Sequence, residues 1–262
     1  MLLKFSYDII NLYIFNLLIK YIKLIYLINI FIYNHMVKIT AIIPIKDIST
    51  RVPGKNFRSM NGKPLFFYII NTLIHIEKID NIVIDTNSPT IFNEVPILFK
   101  SYMNKIILYN RPKHLCPGNV ATNDLLINVV NDLNLDSDYY LQTHVTNPLL
   151  RKETIEKSID TFLSKKDEYE SLFSVRVHHT RFYNKDGCDM NHNRFKLIPT
   201  QDLDPIYEEN SCIYIFNKHV LNKYNARIGK KALLFPMDDI ESQDIDWEND
   251  FILTELLMSI YS

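Results

Sequence analysis

Residues 39–56 read ITAIIPIKDISTRVPGKN, a short apolar run that passes directly into a cationic loop. The run over residues 39–45 is nearly all apolar and rich in isoleucine, which predicts a buried strand. The loop that follows supplies three cations, a hydroxyl and an amide: Lys46, Arg51, Lys55, Ser49 and Asn56. Cations grouped at the carboxyl end of a first strand suit a polyphosphate ligand, because its charge needs several partners at once.

Charge alone does not separate such a site from an ordinary surface loop. Lysine and arginine side chains on loops are most often only solvated. Gly54 is the single glycine among residues 46–56, so the loop is neither a Walker A motif nor a Rossmann fingerprint, each of which needs several. Both interpretations stay open on these residues.

Outward from this loop, short β-branched runs alternate with longer helical patterns. Strands are predicted over residues 39–45, 81–86, 105–109 and 139–143, and helices over residues 64–76, 122–133 and 153–163. Strands that alternate with helices of this length indicate crossover connections and a mainly parallel sheet. Ligands bind at the carboxyl ends of the strands in such sheets.

The second half of the chain changes character. Further strands are predicted over residues 171–177, 212–216 and 233–236, and a closing helix with apolar residues at helical spacing over residues 247–261. A loop-rich tract around Gly187 separates the first two of these strands and is interpreted as an excursion from the sheet. Residues 37–262 are therefore predicted to form one domain with an insertion.

The first 36 residues have a different composition, since 26 of them are apolar. The run over residues 9–33 is long enough to cross a bilayer, which takes about 20 residues. Lys20 and Lys23 in its middle oppose insertion, and no small-residue cleavage site follows it. Three interpretations stay open: an extension upstream of a domain that begins near Met36, a membrane-associated helix, or a helix packed on the domain.

Composition narrows the class of protein. The chain has 29 basic and 30 acidic residues and a net charge of −1, so no broad basic field for nucleic acid is expected. Cys116, Cys188 and Cys212 are odd in number and far apart, which indicates neither a disulfide framework nor a zinc site. Reduced thiols of this kind are typical of a cytoplasmic protein.

Two carboxylates near the C-terminus are the best candidates for metal binding. Asp244 and Asp246 point to the same side of an extended segment, while Ile245 points into the core. Mg²⁺ is usually held by one or two carboxylates together with substrate phosphates. However, Asp246, Glu248 and Asp250 also have the pattern of an N-cap and an acidic first turn for the closing helix. The sequence alone supports the two roles equally.

The cationic loop resembles the P-A-R-x-x-S-x-R-x-P-x-K-N signature of the acylneuraminate cytidylyltransferase family, whose members make CMP-activated sialic acids and related keto-sugar acids. Further matches follow in the same order along the chain: Gly62-Lys63-Pro64-Leu65, Asp85-Thr86-Asn87, Arg111-Pro112, Gln142, Thr146-Asn147-Pro148-Leu149, Gln201-Asp202, Tyr207-Glu208-Glu209-Asn210, Asp244-Ile245-Asp246 and Asp250-Phe251. The resemblance covers essentially Lys38 to the C-terminus, and an ordered series is more specific than any single motif.

This resemblance implies a three-layer, Rossmann-like α/β nucleotidyltransferase fold, with a mainly parallel sheet and a small dimerisation excursion. The nucleotide-binding residues that it implies are Lys46, Ser49, Arg51, Lys55, Asn56 and Arg111. The substrate-binding residues that it implies are Gln142, Gln201 and Asn210. Asp244 and Asp246 are expected to hold Mg²⁺ and, with Lys55, to form the catalytic set.

The activity implied by the resemblance is transfer of CMP from CTP to a 2-keto sugar acid, with release of pyrophosphate, by a cytoplasmic homodimer. Membrane association through residues 9–33 stays open. Three alternatives also remain: a nucleotide-sugar-binding protein of this fold without turnover, a nucleotidyltransferase for a different sugar or nucleotide, and a membrane-tethered protein whose globular part only presents a surface.

Departures from the family pattern fall in the phosphate loop and the sugar pocket: Lys46, Asp47, Thr200 and Ser211. Lys46 keeps the charge of the usual arginine but loses its planar fork. The segment after Gln142 is longer than in the family, so we expect a reshaped sugar pocket, with His144 as either a substrate contact or a structural loop residue.

Overall fold

The structure of the protein is a computed structural model that describes residues 37–261, together with Lys20, Tyr21 and Lys23. The chain divides into two units, Met1–Val37 and Lys38–Ser262. Apart from those three positions, the interpretations of residues 1–36, including membrane contact by residues 9–33, fall outside the described residues. Among the helices that are described, none has the length and apolar character needed to cross a membrane.

The second unit is organised by β-strands, of which nine are described. They are β1 Ile39–Ile45, β2 Ser59–Met60, β3 Lys63–Pro64, β4 Asn81–Thr86, β5 Ile106–Asn110, β6 Tyr139–Gln142, β7 Ser171–His178, β8 Ile206–Phe216 and β9 Ala232–Pro236. β2 and β3 form a separate hairpin, and the other seven form one sheet in the order β5-β4-β1-β6-β8-β7-β9. Only β8 runs antiparallel to its neighbours, which confirms the mainly parallel α/β fold.

Six α-helices are described: α1 Leu65–Ile74, α2 Pro89–Leu98, α3 Thr122–Leu133, α4 Lys152–Leu163, α5 Lys218–Tyr224 and α6 Glu248–Tyr261. They cover both faces of the sheet. Successive side chains of a strand point to opposite faces, so the contacts of two adjacent residues show which helices lie on each face. Tyr140 of β6 joins a core cluster that includes Leu126 of α3 and Leu221 of α5. Its neighbour Tyr139 packs edge-on against Phe162 of α4, with the ring centroids 5.1 Å apart. The three layers are therefore helix, sheet and helix.

Strand β1 lies at the centre of the sheet because its sequence is apolar on both faces. Ile39, Ala41, Ile42, Ile43 and Ile45 are all at most 1% exposed. β1 pairs with β4 on one side and β6 on the other, both in parallel register. Burial of each such branched side chain contributes about 1.5–3 kcal/mol, so the strand that precedes the cationic loop is rigidly held.

Four parts of the fold were not predicted from the sequence, and the first is the β2–β3 hairpin. α2 carries Pro96 in its interior, where proline normally indicates the end of a helix. α5 is only seven residues long and begins at an Asn217 cap that accepts a hydrogen bond from the Val220 amide. β8 begins at Ile206 rather than at residue 212, since its polar first half pairs only with β7 and is largely exposed.

The closing helix α6 buries a narrower face than its apolar spacing predicted. Phe251, Thr254 and Met258 are buried. Four apolar residues at helical spacing instead remain exposed: Ile252, Leu253, Leu256 and Ile260. The sequence is apolar nearly all around this helix, so periodicity did not identify the face that packs on the sheet.

Candidate active site

The site lies where the order of strands reverses. The chain passes from β1 outward to β4 and β5, then returns to the opposite side of β1 as β6. The loops that leave β1 and β6 therefore diverge at their carboxyl ends and leave a crevice, which is where open α/β sheets bind ligands. A cleft of about 480 Å³ occupies this position, and we call it the switch-point cleft.

Seven of the predicted nucleotide-binding, catalytic and metal-binding residues line the switch-point cleft: Lys46, Ser49, Arg51, Lys55, Asn56, Asp244 and Asp246. The first five come from the loop after β1 and the last two from the segment before α6. The fold thus joins the cationic loop to a pair of carboxylates nearly two hundred residues away in the sequence, since Lys55 and Ile245 are 190 positions apart.

Local hydrogen bonds hold the cationic loop. The Asn56 amide donates to the Lys46 carbonyl at 2.8 Å, and the Lys46 ammonium donates to the Gly118 carbonyl at 3.3 Å. The Asp47 amide N–H donates to the Asn87 side-chain oxygen at 3.2 Å. Gly54 has a φ of 64°, a left-handed conformation that glycine adopts at little cost, and it starts the 3₁₀ turn that carries Lys55.

Lys55 is the most buried cation in the cleft, with 7% of its surface exposed. Its ammonium donates to the Ile245 carbonyl, which fixes the loop against the carboxylate segment. Burial lowers the pKa of Lys55 from its ordinary value, while Asp244 and Asp246 oppose that shift. The side chain is thus placed between the loop and both carboxylates.

Asp244 lines the cleft, and one of its carboxylate oxygens has no partner. Burial raises the pKa of Asp244, against a hydrogen bond from the Thr146 side chain that lowers it. Its Oδ1 atom is buried and accepts no hydrogen bond. Ile245 is fully buried, so the alternation predicted from the sequence is present in the structure. An unpartnered, partly desolvated carboxylate oxygen fits a cation ligand.

Asp246 faces the cleft, and Asp250 provides the helix cap. The Asp250 carboxylate accepts hydrogen bonds from the backbone N–H groups of Asp246 at 3.0 Å and Trp247 at 2.7 Å, just before α6 begins. The Asp246 carboxylate pairs with Arg51 at 2.6 Å instead. The capping role expected for Asp246 is therefore filled by the carboxylate of Asp250.

The donor set for a metal is incomplete within the protein. No group of three or more His, Cys, Asp or Glu side chains in the described part of the chain could hold a metal ion. Asp244 and Asp246 alone fit one face of a hard cation, which would take its other ligands from phosphate oxygens and water.

Four residues predicted from the resemblance do not line the switch-point cleft. Arg111 is buried and donates through Nε to both carboxylate oxygens of Asp85, at 3.1 and 3.0 Å. Gln142 is fully buried. Gln201 is exposed on the excursion, in a 3₁₀ turn. Asn210 lines an adjoining pocket of about 420 Å³ that shares Ser211, Asp244 and Asp246 with the cleft.

The Asn210 side chain is occupied by internal hydrogen bonds. Its oxygen accepts from the Ser174 hydroxyl at 2.6 Å and its amide donates to the Ser242 hydroxyl at 2.9 Å. Ser211, the next residue, has a φ of 59°. A left-handed serine is strained, and it lies where β8 bulges against β7 between Phe173 and Val175.

Two side chains complete the cleft on the side of β6. His144 lines it, and its Nε2 atom lies 2.9 Å from the Gln142 amide nitrogen. Burial, followed by the charges of Arg227 and Lys55, lowers the pKa of His144 to about 3. Arg227 was missed in the sequence because nothing in its neighbourhood marks it, and only the packing of the loop after α5 brings it to the cleft.

These features define the class: an α/β protein with a cationic loop and a pair of carboxylates at the switch point of its sheet. The family model described as "Cytidylyltransferase" matches residues 40–251, so the chain belongs to the cytidylyltransferase family.

Curated relatives are similar to most of the chain at modest identity. An N-acylneuraminate cytidylyltransferase of Streptococcus agalactiae is 24% identical over 80% of this chain and 51% of its own length. The CMP-N,N'-diacetyllegionaminic acid synthase of Legionella pneumophila is 28% identical over 85% of this chain and 97% of its own length. The chain thus spans about half of the first relative and nearly all of the second.

Solved structures share the fold. A CMP:2-keto-3-deoxy-manno-octonic acid synthetase complexed with CTP has a TM-score of 0.61 and 14% identity, covering 86% of this chain and 100% of its own. A 4-diphosphocytidyl-2C-methyl-D-erythritol synthase from Anaerococcus prevotii has a TM-score of 0.61 and 12% identity, covering 85% and 96%. At these identities the likeness concerns the fold.

Proposed function

We propose that the protein transfers CMP from CTP to a 2-keto sugar acid of the nonulosonic or octulosonic class, with release of pyrophosphate. The observation that carries the proposal is the switch-point cleft, where Lys46, Arg51 and Lys55 face Asp244 and Asp246. Relatives named for CMP transfer to N-acylneuraminate, N,N'-diacetyllegionaminic acid and 3-deoxy-manno-octulosonate support this substrate class.

The proposed reaction is a substitution at phosphorus. The anomeric hydroxyl oxygen forms a bond to the α-phosphorus of CTP, the bond from that phosphorus to the bridging oxygen breaks, and the hydroxyl proton is released. Negative charge grows on the departing pyrophosphate. Lys46, Arg51 and Lys55 are the proposed partners of that charge, so the proposed catalysis rests on positioning and electrostatic stabilisation.

Mg²⁺ is the proposed cofactor, and Asp244 and Asp246 are its proposed protein ligands. The unpartnered Oδ1 of Asp244 supports this assignment. A bound divalent cation would offset the phosphate charge and orient the triphosphate. The protein's own part is to hold the two carboxylates against Lys55, which donates to the carbonyl of the residue between them.

The excursion is the proposed contact of a homodimer. Its apolar side chains support this role, because Phe195 is 92% exposed and Leu197 is 69% exposed. Sedimentation of the wild type and of Phe195→Asp would test it, and a wild type that stays monomeric at all concentrations would exclude it.

The function is tested by pyrophosphate release with CTP, Mg²⁺ and a panel of N-acetylneuraminic, N,N'-diacetyllegionaminic, pseudaminic and 3-deoxy-manno-octulosonic acids. We expect release with one or more of the acids and none without sugar. Binding of CTP with no release from any acid would instead support the alternative of a protein that has lost turnover. Release with ATP, GTP or UTP in place of CTP would overturn the choice of nucleotide.

A further inference from the structure

Arg227 is a cation of the switch-point cleft that has no role in the proposed reaction. Arg227 lies in the loop between α5 and β9 and lines the switch-point cleft with 14% of its side chain exposed. Its position is separate from that of the phosphate-facing cations. Lys46, Arg51 and Lys55 come from the loop after β1, whereas Arg227 packs on β6 and β8.

The guanidinium of Arg227 is held in a fixed orientation. It lies over the ring of Tyr214 with 3.5 Å between Cζ and the ring centroid, and it donates to the side-chain oxygen of Gln142. Both contacts are made by neutral groups. Gln142 and Tyr214 are both fully buried, and their contacts hold the guanidinium of Arg227 at the edge of the cleft.

The charge of Arg227 is only loosely compensated. Within the described residues, Glu209 is the one carboxylate at ion-pair distance, with 3.6 Å from oxygen to guanidinium nitrogen and 44% of its side chain exposed. A tight charge-assisted hydrogen bond measures about 2.7–2.9 Å. Burial lowers the pKa of Arg227, a sign that the fold desolvates this charge more than it neutralises it.

His144 lines the same cleft as both groups of cations. Arg227 and Lys55 both disfavour its protonation, so both charges are close to the ring. The imidazole is neutral at physiological pH and adds no third charge. The cleft therefore has the cations of the loop after β1 and a second cationic point, Arg227, against β6 and β8.

We infer that Arg227 binds the carboxylate of the sugar acid, an assignment that rests on the proposed function. In a 2-keto sugar acid, only the anomeric carbon separates the carboxylate from the attacking oxygen. The carboxylate must therefore enter the same cleft as Asp244 and Asp246, which repel it. A triphosphate occupies the loop cations, and Arg227 offers the planar fork that matches a carboxylate.

The test compares each acid with its own C1 carboxamide, which has the same shape but no charge. We use N-acetylneuraminic, N,N'-diacetyllegionaminic and 3-deoxy-manno-octulosonic acids. The wild type is expected to prefer the acid. Arg227→Gln is expected to raise KM for the acid about 30-fold or more, as for truncation of a desolvated charge pair, and to abolish the preference. KM for CTP should not change.

Arg227→Lys keeps the charge without the fork and is expected to restore part of the preference. Lys230→Gln, on the same loop and exposed, is the matched control and should leave both constants unchanged. If Arg227→Gln lowers turnover of acid and carboxamide equally, or leaves the preference intact, Arg227 only supports the structure and the inference is wrong.

Failure of the proposed function gives a different result. If the wild type releases no pyrophosphate with any acid, calorimetric titration of the acids into the protein saturated with an α,β-methylene analogue of CTP replaces the kinetics. Acid binding that Arg227→Gln removes would support the carboxylate site without turnover. Absence of acid binding to the wild type would overturn the inference.

Discussion

The Arg51 guanidinium forms an ion pair with the Asp246 carboxylate, with 2.6 Å between nitrogen and oxygen, so a cation of the loop after β1 and a proposed metal ligand neutralise each other across the cleft. Both side chains are almost half exposed, at 49% and 41%. An exposed pair of this kind is worth about 0–1 kcal/mol. We therefore expect ligands to separate the pair at small cost. A phosphate group would replace Asp246 as the partner of Arg51, and a cation would replace Arg51 as the partner of Asp246.

Asp246→Asn is expected to reduce activity without reducing stability. The substitution removes a proposed cation ligand, and we expect pyrophosphate release to fall by about 100-fold or more. The free energy of unfolding should change by less than ~1 kcal/mol, because the lost ion pair is exposed. Kinetics and urea unfolding measure the two effects. Asp160→Asn, which removes an exposed carboxylate paired with Lys78, is the control, and full activity of Asp246→Asn would contradict the assignment.

Asp85→Asn is expected to be strongly destabilising. Asp85 and Arg111 form a pair in which each side chain is 1% exposed, so the substitution leaves a buried guanidinium without a counter-charge. The expected loss is about 3–5 kcal/mol of unfolding free energy, measured by chemical denaturation.

The double variant Asp85→Leu, Arg111→Met is its control. Replacing both charges with apolar groups is expected to recover most of the stability. Since Arg111 does not line the cleft, KM for CTP should remain that of the wild type. A large rise in KM for CTP would instead show that Arg111 reaches the nucleotide.

His144 is expected to make the fold sensitive to acid. Its folded pKa is lowered to about 3, below the ordinary value of 6.5, so the unfolded chain takes up a proton in the window between them. Stability is fully present above the unfolded pKa and is lost as the pH falls from about 6.5 toward 3. One proton of difference amounts to about 1.4 kcal/mol per pH unit.

His144→Gln should make the fall in stability between pH 6 and pH 4 shallower by up to that slope. Urea unfolding at several pH values gives the measurement. His114→Gln, at an exposed position, serves as the matched substitution. Equal slopes for the wild type and His144→Gln would rule out the burial of a neutral imidazole.

Ser211→Gly is expected to stabilise the protein. Ser211 has a φ of 59°, and a left-handed conformation costs a non-glycine residue about 1–2 kcal/mol. The loss of a 3.2 Å hydrogen bond from the Tyr214 hydroxyl offsets part of the gain. We expect a net rise of about 2 °C in Tm by calorimetry. Ser211→Ala loses the hydroxyl without the relief and should lower Tm, so a lower Tm for both variants would exclude strain at this position.

Much of the fold could be predicted because it depends on local patterns. The apolar run of β1, the alternation of strands and helices, and the α3 helix over Thr122–Leu133 are encoded by neighbouring residues. Elements whose local signals conflict were not predicted. Pro96 concealed α2, and the polar half of β8 depends on its pairing with β7.

The candidate site divides in the same way. The cations of the loop after β1 and the alternation around Ile245 could be recognised because each lies within one short segment. The burial of Arg111 against Asp85, the capping by Asp250 and the place of Arg227 could not, because each depends on a contact between distant segments or on a choice between nearby carboxylates.

The sequence by itself determined a central strand that ends in a cationic loop, and an ordered set of motifs typical of one family. Only the tertiary structure decided which of those charges share the cleft and which neutralise each other in the core. The reason is physical. Backbone hydrogen bonding and hydrophobic periodicity act over a few residues, whereas a contact such as that of Lys55 with the Ile245 carbonyl, 190 positions away, exists only once the sheet has brought its strand ends together.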